Sequence, residues 1–155
     1  MVDIYYTDTS ALLRRYVQEV GSGWLIALIA PERYSMVITS KLTLAEMASA
    51  FARRRREGTV TDEVYREATQ AFLDDCRTQY QLGDVDDPII ALARELLDRR
   101  PLRAYDAMHL ATALIVNQFC VDTYQHSLTF LSADDNLNAA ASAEGLAVDN
   151  PNNHP

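Results

Sequence analysis

The stretch Ile4-Tyr5-Tyr6-Thr7-Asp8-Thr9-Ser10 constrains the fold more than any other in this chain. β-Branched and aromatic residues run as far as Thr7 and stop at Asp8-Thr9-Ser10. Apolar residues then recur at Leu12, Leu13, Tyr16, Val17 and Val20. A period near two giving way to one near 3.6 marks a strand that feeds a helix, with Thr9 or Ser10 as the cap. It also puts a carboxylate, Asp8, at the carboxyl end of the first strand, the edge where open α/β sheets bind ligands. An Asp there is either a helix cap and turn former or part of a site. Glu46, Asp106 and Asp134, at comparable places later in the chain, turn the balance toward a site.

The same alternation continues along the sequence. Gly21-Ser22-Gly23 ends the first helix, and a short apolar helix from Trp24 to Ala30 stops near Pro31. Ser35 to Thr39 reads as a second strand and Ser40 as the cap of a helix whose buried stripe is Leu44, Met47, Ala48 and Phe51. Glu46 lies off that stripe, with Ala50 and Arg53 on its side of the helix. Thr61 or Asp62 opens a further helix, with Val64, Ala68, Ala71, Phe72 and Cys76 inward. Gln79 to Leu82 is a brief third strand, and Pro88 fits the first turn of the next helix. Tyr105 to Ile115 is apolar on nearly every side, which makes it a central helix. Ser127 to Ser132 is the fourth strand, Ala133-Asp134-Asp135 leads into a helix through Ala143, and Gly145 to Val148 is a last edge strand. Four or five strands separated by helices predict a mainly parallel sheet covered on both faces, an α/β sandwich of three layers. The 155 residues fit one domain over 1–149, with 150–155 a flexible polar tail.

Composition excludes several classes. The longest apolar stretch is too short to span a bilayer, and no basic segment leads into an apolar one at the N-terminus, so a cytoplasmic protein is expected. Cys76 and Cys120 stand alone in apolar helical patterns and read as buried thiols. A formal charge of −8 argues against a protein that merely coats a nucleic-acid backbone. It does not exclude an enzyme that attacks nucleic acid with acids gathered around a cation. Lys41 is the only lysine, and arginine suits bidentate recognition of phosphate or carboxylate.

If Asp8, Glu46, Asp106 and Asp134 converge on one cleft, four carboxylates repel one another and burial adds to the cost. Cations neutralise such a cluster. Oxygen-only ligation, with no cysteine cluster or histidine set, selects Mg²⁺ or Mn²⁺ over zinc. The chemistry this permits is metal-assisted hydrolysis of a phosphodiester. His109, one turn after Asp106, reads as a supporting histidine more readily than as a ligand. Arg53-Arg54-Arg55-Arg56 ahead of Gly58 is either a favourable helix end or a phosphate-binding wall in which Arg53 and Arg54 touch a backbone phosphate.

Four blocks carry a family resemblance: Tyr6 to Tyr16, Leu42 to Met47, Tyr105 to Ala113 and Phe130 to Asp135. Together they resemble a PIN domain and, more narrowly, the VapC-type toxins of prokaryotic toxin–antitoxin pairs, over nearly the whole chain from Ile4 to about Val148. The resemblance implies an α/β/α sandwich, a Mg²⁺-dependent ribonuclease, a homodimer and a small antitoxin partner. By position, Asp8 and Asp106 match the principal metal-binding aspartates. Glu46 matches the acid that completes the site, and Asp134 the fourth, often water-mediated, ligand. Ser132 matches the hydroxyl residue that commonly precedes that ligand, and Thr9 or Ser10 supports Asp8. Asp135 beside Asp134 leaves the register ambiguous by one residue.

Two other readings compete: a PIN-like module that binds RNA or a partner without cutting, and a phosphatase-like domain with an aspartate nucleophile. The second would carry an Asp-x-Asp pair after the first strand, where this chain has Ser10.

Overall fold

Strand β1 (Ile4–Thr7) occupies the middle of a five-stranded sheet of order β3-β2-β1-β4-β5 in the computed structural model, which describes residues 1–155. Its neighbours are β2 (Met36–Ser40) and β4 (Thr129–Leu131), and β3 (Tyr80–Gly83) and β5 (Ala147–Asp149) form the edges. Every pairing is parallel, with Tyr6 opposite Ile38 on one side and Phe130 on the other. The chain steps outward from β1 to β3, then crosses back over β1 to β4. The winding therefore reverses between β1 and β4, and there the carboxyl ends of the strands open into a crevice.

The period of two along each strand sorts the core into two halves. Ile4, Tyr6, Ile38 and Phe130 pack with Leu96 of α5 (Asp87–Arg99), Leu110 of α6 (Ala104–Tyr124) and Leu137 of α7 (Asp135–Ala143). Val37, Tyr80 and Leu131 point to the other face. They meet Leu12 of α1 (Thr9–Leu12), Leu25 of α2 (Ser22–Leu28), Met47 of α3 (Leu42–Arg56) and Phe72 of α4 (Asp62–Thr78). The result is the three-layer α/β/α sandwich with a parallel sheet that the sequence predicts. No helix is long and apolar enough to cross a membrane.

Local chemistry fixes most helix ends. Thr61 accepts from the Val64 amide to open α4, Asp86 accepts from the Ile89 amide to open α5, and Gly58 takes a left-handed turn after α3. Several expectations differ. Ser40, expected to cap α3, ends β2, and the cap position is Lys41 with no side-chain bond. The first helix ends near Leu12 and continues only as a 3₁₀ turn to Arg15, because Arg14 reaches back to the Ser10 carbonyl and forward to the Val20 carbonyl, at 2.5 and 2.8 Å. In α4 the inward face is Tyr65, Ala68, Phe72 and Cys76, and Val64 is exposed. The segment 150–155, expected to be flexible, folds back as a 3₁₀ turn. Pro151 is buried, Asn152 accepts from Arg14 at 2.8 Å, and His154 stacks on Trp24 with ring centres 4.0 Å apart.

Candidate active site

Asp8 leaves the end of β1 in extended backbone, only 4% exposed. Its Oδ1 accepts from the Ala11 amide at 2.9 Å, so Asp8, and not Thr9 or Ser10, is the cap of α1. The cap and the candidate site residue are one side chain. Ser10 donates to the carboxylate at 2.8 Å and Ser132, just past β4, donates to Oδ2 at 2.7 Å. Burial pushes the Asp8 carboxyl above its ordinary range; His109, the two serine hydroxyls and the Ala11 amide pull the other way without offsetting it.

Glu46 projects from α3 into the same cleft. Its Oε1 accepts from Thr9 at 3.0 Å and from His109 Nε2 at 2.6 Å. Thr9 thus serves Glu46, while Ser10 and Ser132 serve Asp8. Burial alone would push Glu46 up, but His109, and then Thr9 and Arg103, more than offset it and its carboxyl lies below the usual value. Behind it, His109 is 2% exposed and its Nδ1 faces the Tyr6 hydroxyl at 2.9 Å. Burial raises the Tyr6 hydroxyl well above its ordinary range, which keeps it neutral. Both ring nitrogens of His109 are engaged, one by Glu46 and one by Tyr6.

Asp106 lies in the first turn of α6 and Asp134 caps α7, each at the positive end of a helix dipole. Asp134 Oδ1 accepts from the Asn136 and Leu137 amides at 2.9 and 3.2 Å, and the Asp134 amide donates to Ser132 Oγ at 3.0 Å. Asp135 is turned away and accepts from Asn150 at 2.8 Å, so Asp134 is the residue of the pair that faces the cleft. All four acids line one cleft of about 640 Å³, with Arg53, Arg103 and Tyr105 at its walls. No three ligating side chains stand close enough to hold an ion as they are placed.

The arginine run divides. Arg53 reaches the cleft. Arg54 is paired with Glu19, and Arg55 covers the Tyr65 ring at 4.1 Å. Sequence reasoning missed Thr39 and Thr43. Thr39 donates to the Thr7 carbonyl at 2.7 Å, and Thr43 meets both Thr39 and Thr9, holding the end of β1 against α3. Buried hydroxyls inside an apolar pattern were the only signal. Arg103, at the mouth, reads in the sequence as a loop arginine and, with Arg14 and Arg15, as a candidate behind Arg53 to Arg56 for holding a phosphate backbone.

The PIN domain family model matches residues 5–143. No curated protein sequence matches the chain. Among solved structures, the chain is similar to one from VapBC2 of Rickettsia felis bound to a DNA fragment from their promoter. That match has 14% identity and a TM-score of 0.61, over 95% of this chain and 98% of that one. FitAcB from Neisseria gonorrhoeae gives 20% identity and a TM-score of 0.59, over 95% and 97%. Mycobacterium tuberculosis VapC20, described as a sarcin-ricin loop cleaving toxin, gives 20% identity and a TM-score of 0.60, over 92% and 96%.

Proposed function

The chain belongs to the PIN-domain family, and from that premise we propose that it is a divalent-metal-dependent endoribonuclease, the toxin of a toxin–antitoxin pair. One observation carries the reading: four separate elements deliver Asp8, Glu46, Asp106 and Asp134 to a single cleft at the point where the sheet reverses its winding. The donor set fits a hard cation. It is all oxygen, both cysteines lie elsewhere, and the histidine present is already engaged at both nitrogens. The raised Asp8 carboxyl is the mark of a buried negative charge without sufficient compensation, and a cation at this place relieves it.

Asp8, Glu46, Asp106 and Asp134 are the residues that would hold Mg²⁺ or Mn²⁺, once their side chains draw closer than they stand without it. When bound, such an ion supplies Lewis acidity toward a phosphoryl oxygen and makes water a stronger acid. The chain itself supplies orientation. Ser10 and Ser132 fix the plane of the Asp8 carboxylate, and His109 and Thr9 fix that of Glu46. Arg53 faces the same cleft, where its planar fork suits a backbone phosphate.

The protein works in the cytoplasm as one domain, with the turn at 150–155 docked on it. It forms a homodimer, and exposed Ile26, Val64 and Leu73 on α2 and α4 give that dimer apolar surface. Its activity is held in check by a small antitoxin. Solved relatives described as VapBC2 and FitAB bound to DNA support that partner.

The test is cleavage of a generic RNA as Mg²⁺ or Mn²⁺ is added, with Asp106→Asn as the comparison. The wild type should cut only with metal. The variant should lose at least about 100-fold in rate while keeping its fold, since a ligating charge is removed and no buried contact is broken. Metal-independent cutting, or a fully active variant, would sink the reading.

A further inference from the structure

The cleft already contains a cation, and it belongs to the chain. Arg103 is the last residue before α6, and its guanidinium lies over two of the four acids. Nε donates to Asp106 Oδ2 at 3.2 Å, and Nη2 stands 3.9 Å from Asp134 Oδ2, the oxygen that the α7 amides leave free. The backbone around it is anchored on both sides. The Pro101 carbonyl accepts from Asn136 at 2.9 Å, and the Arg103 carbonyl accepts from the Ala107 amide at 3.0 Å. The side chain is 83% exposed, so apart from the carboxylates it has little to hold it. Exposed ion pairs of this kind are weak and exchange readily.

A divalent ion held by Asp106 and Asp134 would compete with the guanidinium for these carboxylates, and the two like charges would repel. A phosphate at the mouth offers that guanidinium another partner with the same fork geometry. Arg53 lines the same cleft, so a phosphate there lies within a space that carries two arginines. We propose that Arg103 is a resident counter-cation that competes with the metal for Asp106 and Asp134. A backbone phosphate of the bound RNA draws it off, so that RNA binding and metal loading assist each other. The proposal rests on the ribonuclease reading above. Its coupling is reciprocal: whatever RNA does for metal affinity, metal does for RNA affinity.

The experiment measures Mn²⁺ binding to the full chain by calorimetry, with and without a short 2′-O-methyl oligoribonucleotide. It uses wild type, Arg103→Ala, and Arg99→Ala as a control for net charge. Arg99 pairs with Glu144 outside the cleft. Without oligonucleotide, Arg103→Ala should bind Mn²⁺ about 5-fold or more tightly than wild type, and Arg99→Ala should not. The oligonucleotide should tighten Mn²⁺ binding in wild type but not in Arg103→Ala. Three results overturn the proposal: Mn²⁺ affinity unchanged in Arg103→Ala, the same gain in Arg99→Ala, or an oligonucleotide effect that survives in Arg103→Ala. If wild type neither binds Mn²⁺ nor cuts RNA with it, the ribonuclease reading falls and takes the proposal with it. If wild type does both and Arg103→Ala behaves identically, the proposal alone falls.

Discussion

Ser132 donates to Asp8 Oδ2 at 2.7 Å, joining the ends of β4 and β1 across the reversal of the sheet. The same Ser132 oxygen accepts from the Asp134 amide at 3.0 Å, so one hydroxyl sets two of the four acids. Ser132→Ala should therefore lower Mn²⁺ affinity and RNA cleavage together by about 10–100-fold. Stability should fall by about 1–2 kcal/mol, as for a buried acceptor that loses its donor. Calorimetry, initial rates and urea unfolding check the three arms. Wild-type metal affinity in the variant would mean that Asp8 is held well enough by Ser10 and Ala11 alone.

Arg53 and Arg54 are neighbours with different duties. Arg53→Ala should raise the KM for RNA several-fold and reduce the salt slope by about 1, with Mn²⁺ affinity unchanged. Arg54→Ala removes one of the two arginines paired with Glu19, leaving Arg14, and should lower stability with little change in KM. If the two variants share one kinetic phenotype, the distinction drawn from their contacts is wrong.

Gly21 has a φ of +82°, and a Cβ placed on it would lie 2.1 Å from the Pro151 carbonyl oxygen. Gly21→Ala should destabilise the chain by about 2 kcal/mol or more, combining left-handed strain with displacement of the C-terminal turn. Trp24, the only tryptophan, stacks on His154 within that turn, so its emission should change before the rest of the chain unfolds. An emission spectrum and unfolding curve identical to wild type would contradict the close approach.

Glu144 is gripped by Arg99 and Arg100 at the end of α7. Burial pushes its carboxyl up, but the two guanidinium groups outweigh that and hold it below its ordinary value of 4.5. A carboxyl lowered in the folded state contributes stability above its unfolded pKa and loses it as pH falls through the folded one. Glu144→Gln should thus cost about 1 kcal/mol at neutral pH, and the gap to wild type should close as pH drops below 4.5. A gap that is constant from neutral pH to pH 3 would assign the effect to packing instead of charge.

Strand-to-helix transitions were readable because they are local. The switch from period two to period 3.6 at Asp8, and again near Asp134, needs no knowledge of distant residues, and it located β1, β4 and two of the four acids. The early end of the first helix was not readable. It depends on Arg14 bonding to Val20 and Asn152, the latter from the far end of the chain. The docked C-terminal turn fails for the same reason: polar composition forecasts mobility, while Gly21 and Trp24 supply the surface that holds it. The division between Asp134 and Asp135 is settled by Asn150, which no local pattern reveals. Within the arginine run, helical spacing singled out Arg53 beside Glu46 and grouped Arg54 with it, but partners on other elements engage Arg54 and Arg55 and leave Arg53 in the cleft.

The placement of β1 in the middle of the sheet also sets a timetable for synthesis. Its partner β4 and the last acid, Asp134, belong to the final quarter of the chain. At about 5–20 residues per second a ribosome needs roughly 6–25 s to travel from Asp8 to Asp134. For that interval β1 has a bare edge, and a cleft that needs acids from both ends of the chain stays incomplete. Under the proposed function, a nascent copy should therefore be inert until Asp134 has been made and β4 has paired with β1. A truncated product that stops before β4 should be harmless as a catalyst and prone to pair with any strand it meets.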